Sequence, residues 1–269
     1  MKNPIYMVGF CASLIAFIST IGYCTVQLLQ VGGAIHFPLD EILIYGTSLT
    51  IAIPFLLAFL ALHYVTPVEK KFWSHAALIF CIIYTVFVSA NYVVQLATVI
   101  PMKLKGSLAQ VQLLDQTPHS LFWNFDALGY IFMGLATLAA IPVFDRRGFQ
   151  KWVRISFLAN AMVTPLICIV YFYPTFSPQV LLMGYPWGIT APLSMLMLAL
   201  MFKKHMKRTN GAINKRTRPP VDTRKPEGAT DNSISFVDFI ERCELYGKLQ
   251  LQKLNYGKCF ISSTKTTNY

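Results

Sequence analysis

Six long apolar segments dominate the first 202 residues of the chain. No Asp, Glu, Lys or Arg occurs from Asn3 to Leu39, and none occurs from Ile42 to Val68. A bilayer core about 30 Å thick needs roughly 20 apolar residues in a helix, and both stretches are longer than that. A membrane barrel would instead show many short segments of alternating polarity. The pattern predicts spanning helices at about residues 5–29, 41–65, 74–100, 120–144, 152–173 and 178–202.

The breaks between these segments carry residues that end or begin helices. Gly32-Gly33 and Pro38 separate the first two segments, Pro101 ends the third, and Thr117-Pro118 precedes the fourth. Proline lacks the N–H that a helix interior needs, yet it is favoured in the first turn. The predicted fold class is therefore all-α: a polytopic integral membrane helix bundle with six transmembrane helices over residues 1–202.

The charge of the chain is concentrated in its last quarter. Residues 203–269 contribute +8 of the net charge of +11. A basic segment beside a membrane helix normally orients the protein or contacts anionic lipid, and no nucleic-acid recognition motif accompanies this one. We expect a basic cytoplasmic tail, largely disordered because it is polar and rich in Pro, Thr and charge. A short amphipathic helix is predicted within it at residues 236–246.

The Lys and Arg residues also predict the orientation of the bundle. With the N-terminus inside, eleven of them flank the inner ends of the spans: Lys2, Lys70, Lys71, Arg146, Arg147, Lys151, Arg154, Lys203, Lys204, Lys207 and Arg208. Two, Lys103 and Lys105, flank the outer ends. Because cytoplasmic loops carry the excess of Lys and Arg, both termini are predicted to be cytoplasmic. The expected host is the plasma (cytoplasmic) membrane.

Asp126 is the most informative polar residue of the predicted spans. It lies about eight residues into the fourth span, which is roughly 12 Å from the start of that helix at 1.5 Å per residue. An ionisable side chain at such a depth costs about 2.5–3.5 kcal/mol on insertion scales, so it normally faces protein or water and has a partner. Asp126 is therefore the centre of the predicted site.

Polar residues of the third and sixth helices reach a similar depth. Asn91 and Gln95 share one face of the third helix because they are four residues apart, and Pro186 frees a backbone carbonyl at the start of the sixth. These features predict a ligand site that opens to the outside. Its residues are Asp126, Asn124, Asn91, Gln95, Trp187 and Thr190. The alternative is interhelical hydrogen bonding alone, which contributes about 0.6 kcal/mol per bond in membrane proteins.

No catalytic residue, cofactor or metal site is predicted. The chain has no H-E-x-x-H motif, P-loop or G-x-S-x-G turn, and its six cysteines form no C-x-x-C pair. Haem is not expected either, because the histidines that could ligate it lie at span ends or in loops. They are His36, His63, His75 and His119.

Three classes of function remain open from the sequence. The first is a non-enzymatic carrier or receptor that binds a small polar or cationic ligand near Asp126. The second is an accessory or assembly subunit of a membrane complex, in which the small residues Gly184 and Gly188 approach a partner helix closely. The third is an intramembrane lipid-modifying enzyme, ranked last because no nucleophile–base pair is visible. The lipid bilayer is the one partner that every alternative requires.

Overall fold

The computed structural model describes Lys2–Thr217, and these residues are helical without any strand. The α-helices are α1 (Lys2–Val31), α2 (Leu39–Val65), α3 (Lys71–Val94), α4 (Ile100–Leu104), α5 (Leu108–Val111), α6 (Leu121–Ala140), α7 (Gly148–Phe172), α8 (Pro178–Leu182) and α9 (Trp187–Thr217). A π-helical turn at Gln95–Val99 joins α3 to α4. Short 3-10 turns precede α3 and follow α6.

Within these described residues, six helical stretches are long and apolar enough to cross a membrane. They are Pro4–Val31, Leu39–Val65, Val68–Leu104, Leu121–Val143, Gly148–Phe172 and Gln179–Lys207. The prediction of six long apolar helices in an all-helical fold is confirmed for the described residues, and such a set is compatible with a multi-pass membrane protein.

The last helix is longer than the sequence analysis predicted. It continues beyond Phe202 to Thr217, into the first part of the predicted tail. The residues that extend it include Lys203, Lys204 and Met206, which are strong helix formers, and no proline interrupts them. The predicted helix at 236–246 lies outside the described residues.

The six long stretches pack as a ring that follows the order of the chain. Among the described elements, α1 packs on α2, α2 on α3, α3 on α6, α6 on α7, α7 on α9, and α9 returns to α1. Fully buried apolar side chains fill its centre. There the ring of Phe59 on α2 packs against that of Phe157 on α7, with 5.9 Å between the ring centroids. Outward-facing side chains such as Ile15, Ile53 and Val86 are half-exposed or more, which suits contact with lipid chains.

Successive long stretches run in opposite directions, so the bundle has two distinct ends. We call one the loop end, formed by the connections at residues 32–38, 105–120 and 173–186. The other is the basic end, formed by the connections at 66–70 and 144–147 and by the last turns of α9. Lys103 and Lys105 belong to the loop end, and the other Lys and Arg of the described chain belong to the basic end.

Cations at the basic end bind carbonyl groups near the ends of helices. The Arg154 guanidinium donates to the carbonyls of Ile141 and Phe144 at 3.1 and 3.3 Å. The Lys71 ammonium donates to the carbonyl of His63 near the end of α2. Because the C-terminal carbonyls of a helix carry partial negative charge, these residues stabilise the helix ends as well as placing charge at this side.

Two glycines let α6 approach its neighbours closely. A Cβ atom at Gly134 would lie 1.8 Å from Oγ1 of Thr164 on α7, and one at Gly129 would lie 2.5 Å from a methyl carbon of Val88 on α3. Small residues at such crossings are typical of membrane bundles, because they allow backbone and side chain to pack without a gap. The site described below depends on this close placement of α3, α6 and α7.

We expect Gly134→Ala to lower the thermal unfolding midpoint of the purified protein. Helix propensity alone would favour alanine by about 1 kcal/mol, but overpacking a tight contact typically costs about 1–3 kcal/mol, and the overlap with Thr164 is severe. Gly46→Ala is the matched control, since a Cβ there meets nothing within 4 Å. Equal midpoints for the two variants would contradict the close α6–α7 crossing.

Candidate functional site

Asp126 lies in the second turn of α6, inside the ring of helices, with 5% of its surface exposed. Its two carboxyl oxygens accept hydrogen bonds from two tyrosine hydroxyls: Tyr92 on α3 at 2.7 Å and Tyr171 on α7 at 2.5 Å. Hydrogen bonds to a charged group contribute about 1.5–3 kcal/mol each. Two of them are therefore enough to offset the insertion cost of about 2.5–3.5 kcal/mol.

The start of α6 explains how these groups come together. The Ser120 side chain caps the helix by accepting from the backbone N–H of Trp123 at 3.2 Å, the usual role of serine at this position. The Trp123 indole N–H then donates to the carbonyl of Tyr171 at 3.3 Å, and the two rings lie 4.7 Å apart. Trp123 thereby fixes the end of α7, from which Tyr171 reaches Asp126.

A loop covers this group at the loop end, and we call residues 105–120 the cap segment. The Asn91 amide donates to the side-chain oxygen of Gln116 at 2.9 Å. The Gln95 amide donates to the carbonyl of Leu114 at 2.7 Å, and its oxygen accepts from the backbone N–H of Gln116 at 3.3 Å. The side chains of Gln116 and Asn91 also interact with the Asp126 carboxyl group. The cap segment is thus part of the polar cluster.

Lys103 holds the same segment from its other side. Its ammonium lies 2.9 Å from a carboxyl oxygen of Asp115, in the cap segment, and 3.0 Å from one of Glu41, at the start of α2. These side chains are 17%, 10% and 22% exposed, so solvent screens the network less than a surface ion pair. Lys103 therefore ties the cap segment to α2 and α4 together.

Aromatic rings form the wall of the cluster away from the cap segment. The rings of Tyr130 and Trp187 meet edge-to-face at 4.8 Å, and those of Tyr23 and Trp187 do so at 5.8 Å. Tyr130 also lies 6.1 Å from Tyr171, which binds Asp126. A carboxyl group attracts a cation by its charge, and aromatic rings nearby can add cation–π interaction.

Two irregularities in the helices adjoin the cluster. The π-helical turn begins at Gln95. Pro101, which follows it, has no N–H to complete the ordinary helical bond to the carbonyl four residues earlier. On the opposite side the chain is broken at residues 183–186 between α8 and α9, and Trp187 begins α9. Single π turns and broken membrane helices are both frequent at functional sites.

The structure brings some of the predicted site residues together. Asn91 and Asp126 share the same cluster, and Gln95 joins it through Gln116. Trp187 lies in the aromatic wall, which we call the aromatic side of the cluster, and the rings of Tyr130 and Tyr171 separate it from Asp126.

Two other predicted residues lie apart from the carboxyl group. The Thr190 hydroxyl is 3.2 Å from the side-chain oxygen of Asn160, whose amide donates to Thr137 at 3.3 Å. These three residues form a separate polar cluster between α6, α7 and α9. Asn124 is exposed, because two residues along a helix correspond to a turn of about 200° away from Asp126.

Sequence reasoning missed the tyrosines and the cap segment. Three tyrosines lie within apolar spans, where their rings cannot be distinguished from the rest of the hydrophobic pattern: Tyr92, Tyr130 and Tyr171. A signal was nevertheless present, because a buried tyrosine hydroxyl usually needs a hydrogen-bond partner and an intramembrane Asp can provide one. Gln116 carried no signal, since a loop has no periodicity from which its position could be calculated.

A larger cavity, of about 150 Å³, lies at the basic end and is remote from Asp126. Its wall includes Tyr6 on α1, Thr66 after α2, Gln150 on α7 and His205 on α9. Among the described residues, none of the buried polar atoms that lack a partner belongs to this wall. The buried polar atoms without a partner in the described chain therefore lie away from this cavity.

No metal centre is formed by the described part of the chain, which contains no group of three or more His, Cys, Asp or Glu side chains placed to hold an ion. No protein-family model, no curated protein and no solved structure matches this sequence. Any statement about function therefore rests on the Asp126 cluster itself.

We expect Lys103→Gln to loosen the cap segment. The backbone N–H groups of Leu114 and Asp115 donate to the carbonyl of Val111, so their hydrogen exchange reports opening of this loop. Loss of ion pairs worth together about 1 kcal/mol should make that exchange roughly fivefold faster. Lys105→Gln, at an exposed position, is the control. Unchanged exchange in Lys103→Gln would show that Lys103 does not hold the loop.

Proposed function

We propose that this protein is a non-enzymatic carrier or receptor that binds a small polar or cationic ligand at the Asp126 cluster. The observation that supports this most is the carboxyl group inside the ring of helices, held by the hydroxyl groups of Tyr92 and Tyr171 from two other helices, with Tyr130 and Trp187 packed behind Tyr171. Here several groups converge, and each of them can exchange its bond to Asp126 for a bond to a ligand.

The described conformation corresponds to a closed form of such a protein. The cap segment lies over Asp126, and the cavity on the aromatic side has a volume of only about 10 Å³. Entry of a ligand therefore requires motion. The π turn at Gln95 and the break at residues 183–186 are suitable places for it, because irregular backbone in a membrane is tolerated chiefly where it lines a site.

We further propose that the basic end faces the cytoplasm and the loop end faces outside, with the plasma membrane as host. The separation of Lys and Arg between the two ends supports this orientation under the positive-inside rule. Lys203, Lys204 and Lys207 then project from the end of α9 near the inner leaflet, where anionic lipid attracts basic side chains.

Cysteine labelling tests this orientation. In a background without the native cysteines, Lys105→Cys should react with a membrane-impermeant maleimide on intact cells. Arg147→Cys should react only after the membrane is permeabilised. The reverse pattern would invert the topology and would place the Asp126 cluster nearer to the cytoplasm.

The alternative role as an accessory subunit has less support from the glycines than the sequence pattern implied. A Cβ at Gly188 would lie 3.3 Å from the sulfur of Cys24 on α1, and one at Gly184 would lie 3.6 Å from Ile167 on α7. Both glycines therefore serve packing inside the chain. An accessory role would instead predict a membrane partner that co-purifies in fixed ratio.

A ligand screen with Asp126→Asn tests the proposed function. Small organic ammonium compounds should stabilise the wild-type protein by mass action. At a hundred times the dissociation constant the free energy of unfolding should rise by about 2.7 kcal/mol, and the unfolding temperature should rise with it. For a chain of this size that is about 2–4 °C for each kcal/mol. The Asp126→Asn variant should lose this response, because an amide keeps the shape of the side chain and removes its charge.

Asp145→Asn is the matched control for the same screen, since Asp145 pairs with Lys70 at the basic end and is 64% exposed. Its response to the ligands should equal that of the wild type. Uptake of a stabilising compound into proteoliposomes would then assign a carrier, and binding without uptake would assign a receptor. A response that survives in a folded Asp126→Asn protein would refute the proposed site.

A further inference from the structure

Buried polar atoms without a hydrogen-bond partner occur at two places around the candidate site. In the described chain they include Oδ1 of Asn91, Nε1 of Trp187 and Oγ of Ser48, besides one carboxyl oxygen of Asp40 at the start of α2. The residues Asn91, Ser48 and Trp187 are 0%, 3% and 8% exposed. Leaving such atoms unpaired is costly, so they are rare in folded proteins. Their chemistry differs between the two places.

The first place offers acceptors. The Asn91 amide nitrogen donates to Gln116, and the side chain interacts with the Asp126 carboxyl group, while its oxygen remains unpartnered. An amide oxygen and a carboxylate can only accept hydrogen bonds. Together they fit a group that carries both positive charge and N–H donors, such as a protonated primary or secondary amine. A quaternary ammonium group would leave the Asn91 oxygen unpaired.

The second place offers donors. The cavity of about 10 Å³ on the aromatic side is lined by Ser48 on α2, by Trp187 on α9 and by the rings of Tyr84, Tyr92 and Tyr130. An indole N–H can only donate, and a serine hydroxyl can donate as well. Two residues that carry unpartnered donors thus line one cavity. Such a pair fits an acceptor group, and a carboxylate is the acceptor that complements two donors at once.

The two places are joined by Tyr92. Its hydroxyl group binds Asp126, and its ring lines the cavity, so about one tyrosine side chain separates the acceptors from the donors. We propose that the ligand is a small zwitterion of the amino-acid type. Its protonated amine lies at Asp126 and Asn91, and its carboxylate lies at Trp187 and Ser48. This inference rests on the proposed function, because it names the ligand class of the same site. Displacement of the Tyr92 ring makes the room that this ligand needs.

Matched probes test this ligand class on the purified full-length protein. Glycine, β-alanine and γ-aminobutyrate cover three separations of the charged groups, and each is compared with the amine and the carboxylate of the same carbon skeleton. One of the three zwitterions should bind roughly ten- to a hundredfold more tightly than its amine, the range that a charge-assisted hydrogen bond provides. Its trimethylated derivative, which has no N–H, should bind more weakly than the parent.

Two variants address the carboxylate end. Ser48→Ala and Trp187→Phe should each weaken the zwitterion at least about tenfold and weaken the matched amine far less. Ser194→Ala and Trp152→Phe are the controls, because the Ser194 hydroxyl already donates to a backbone carbonyl within α9 and Trp152 is exposed. These controls should bind the zwitterion like the wild type.

The outcomes separate this inference from the proposed function. Amine binding that requires Asp126, with no gain for any zwitterion, would overturn the inference and leave the function standing. Lower thermal stability of Ser48→Ala and Trp187→Phe with an undiminished zwitterion preference would overturn it too, because the two donors would then hold a structural water only. Absence of any binding that depends on Asp126 would overturn both.

Discussion

The buried carboxyl group of Asp126 is the constraint on which the loop end of the bundle depends. An acid inside a ring of apolar helices must be paired, and the hydroxyl groups of Tyr92 and Tyr171 pair it from α3 and α7. Gln116 reaches the same carboxyl group from the cap segment. One side chain therefore holds three helices and a loop in register. Whatever competes for its oxygens also competes with the contacts that close the site.

This coupling gives a physical basis for a conformational response to a ligand. A ligand shifts a conformational equilibrium only by the difference between its affinities for the two forms. On the proposed function, a cation that took the Asp126 oxygens from Tyr92 or Gln116 would favour an opened form over the closed one. The cap segment is held on one side by Asn91 and Gln95 and on the other by Lys103. The π turn at Gln95 lies between these two attachments, so only a few residues separate each of them from the Asp126 cluster.

The fold was largely predictable from the sequence, and the site was predictable in part, for reasons that differ between residues. Length and apolarity identify the long helices directly, and counting depth along antiparallel helices correctly paired Asn91 with the level of Asp126. The same counting could not find Tyr92, because its ring belongs to the apolar pattern. It could not place Thr190 either, since the rotation of α9 after its break at residues 183–186 is set by packing and not by sequence spacing.

The distribution of unsatisfied groups supports the site proposed at the loop end. At the basic end, cations such as Arg154 and Lys71 meet helix carbonyls, and the buried polar atoms there have partners. The buried atoms that lack partners in the described chain lie in the other half of the bundle, and those of Asn91, Ser48 and Trp187 surround the Asp126 cluster. A bundle that served only as a scaffold would gain stability by satisfying them. The proposed two-charged ligand would supply partners to both kinds of unpaired atom, the acceptor of Asn91 and the donors of Ser48 and Trp187.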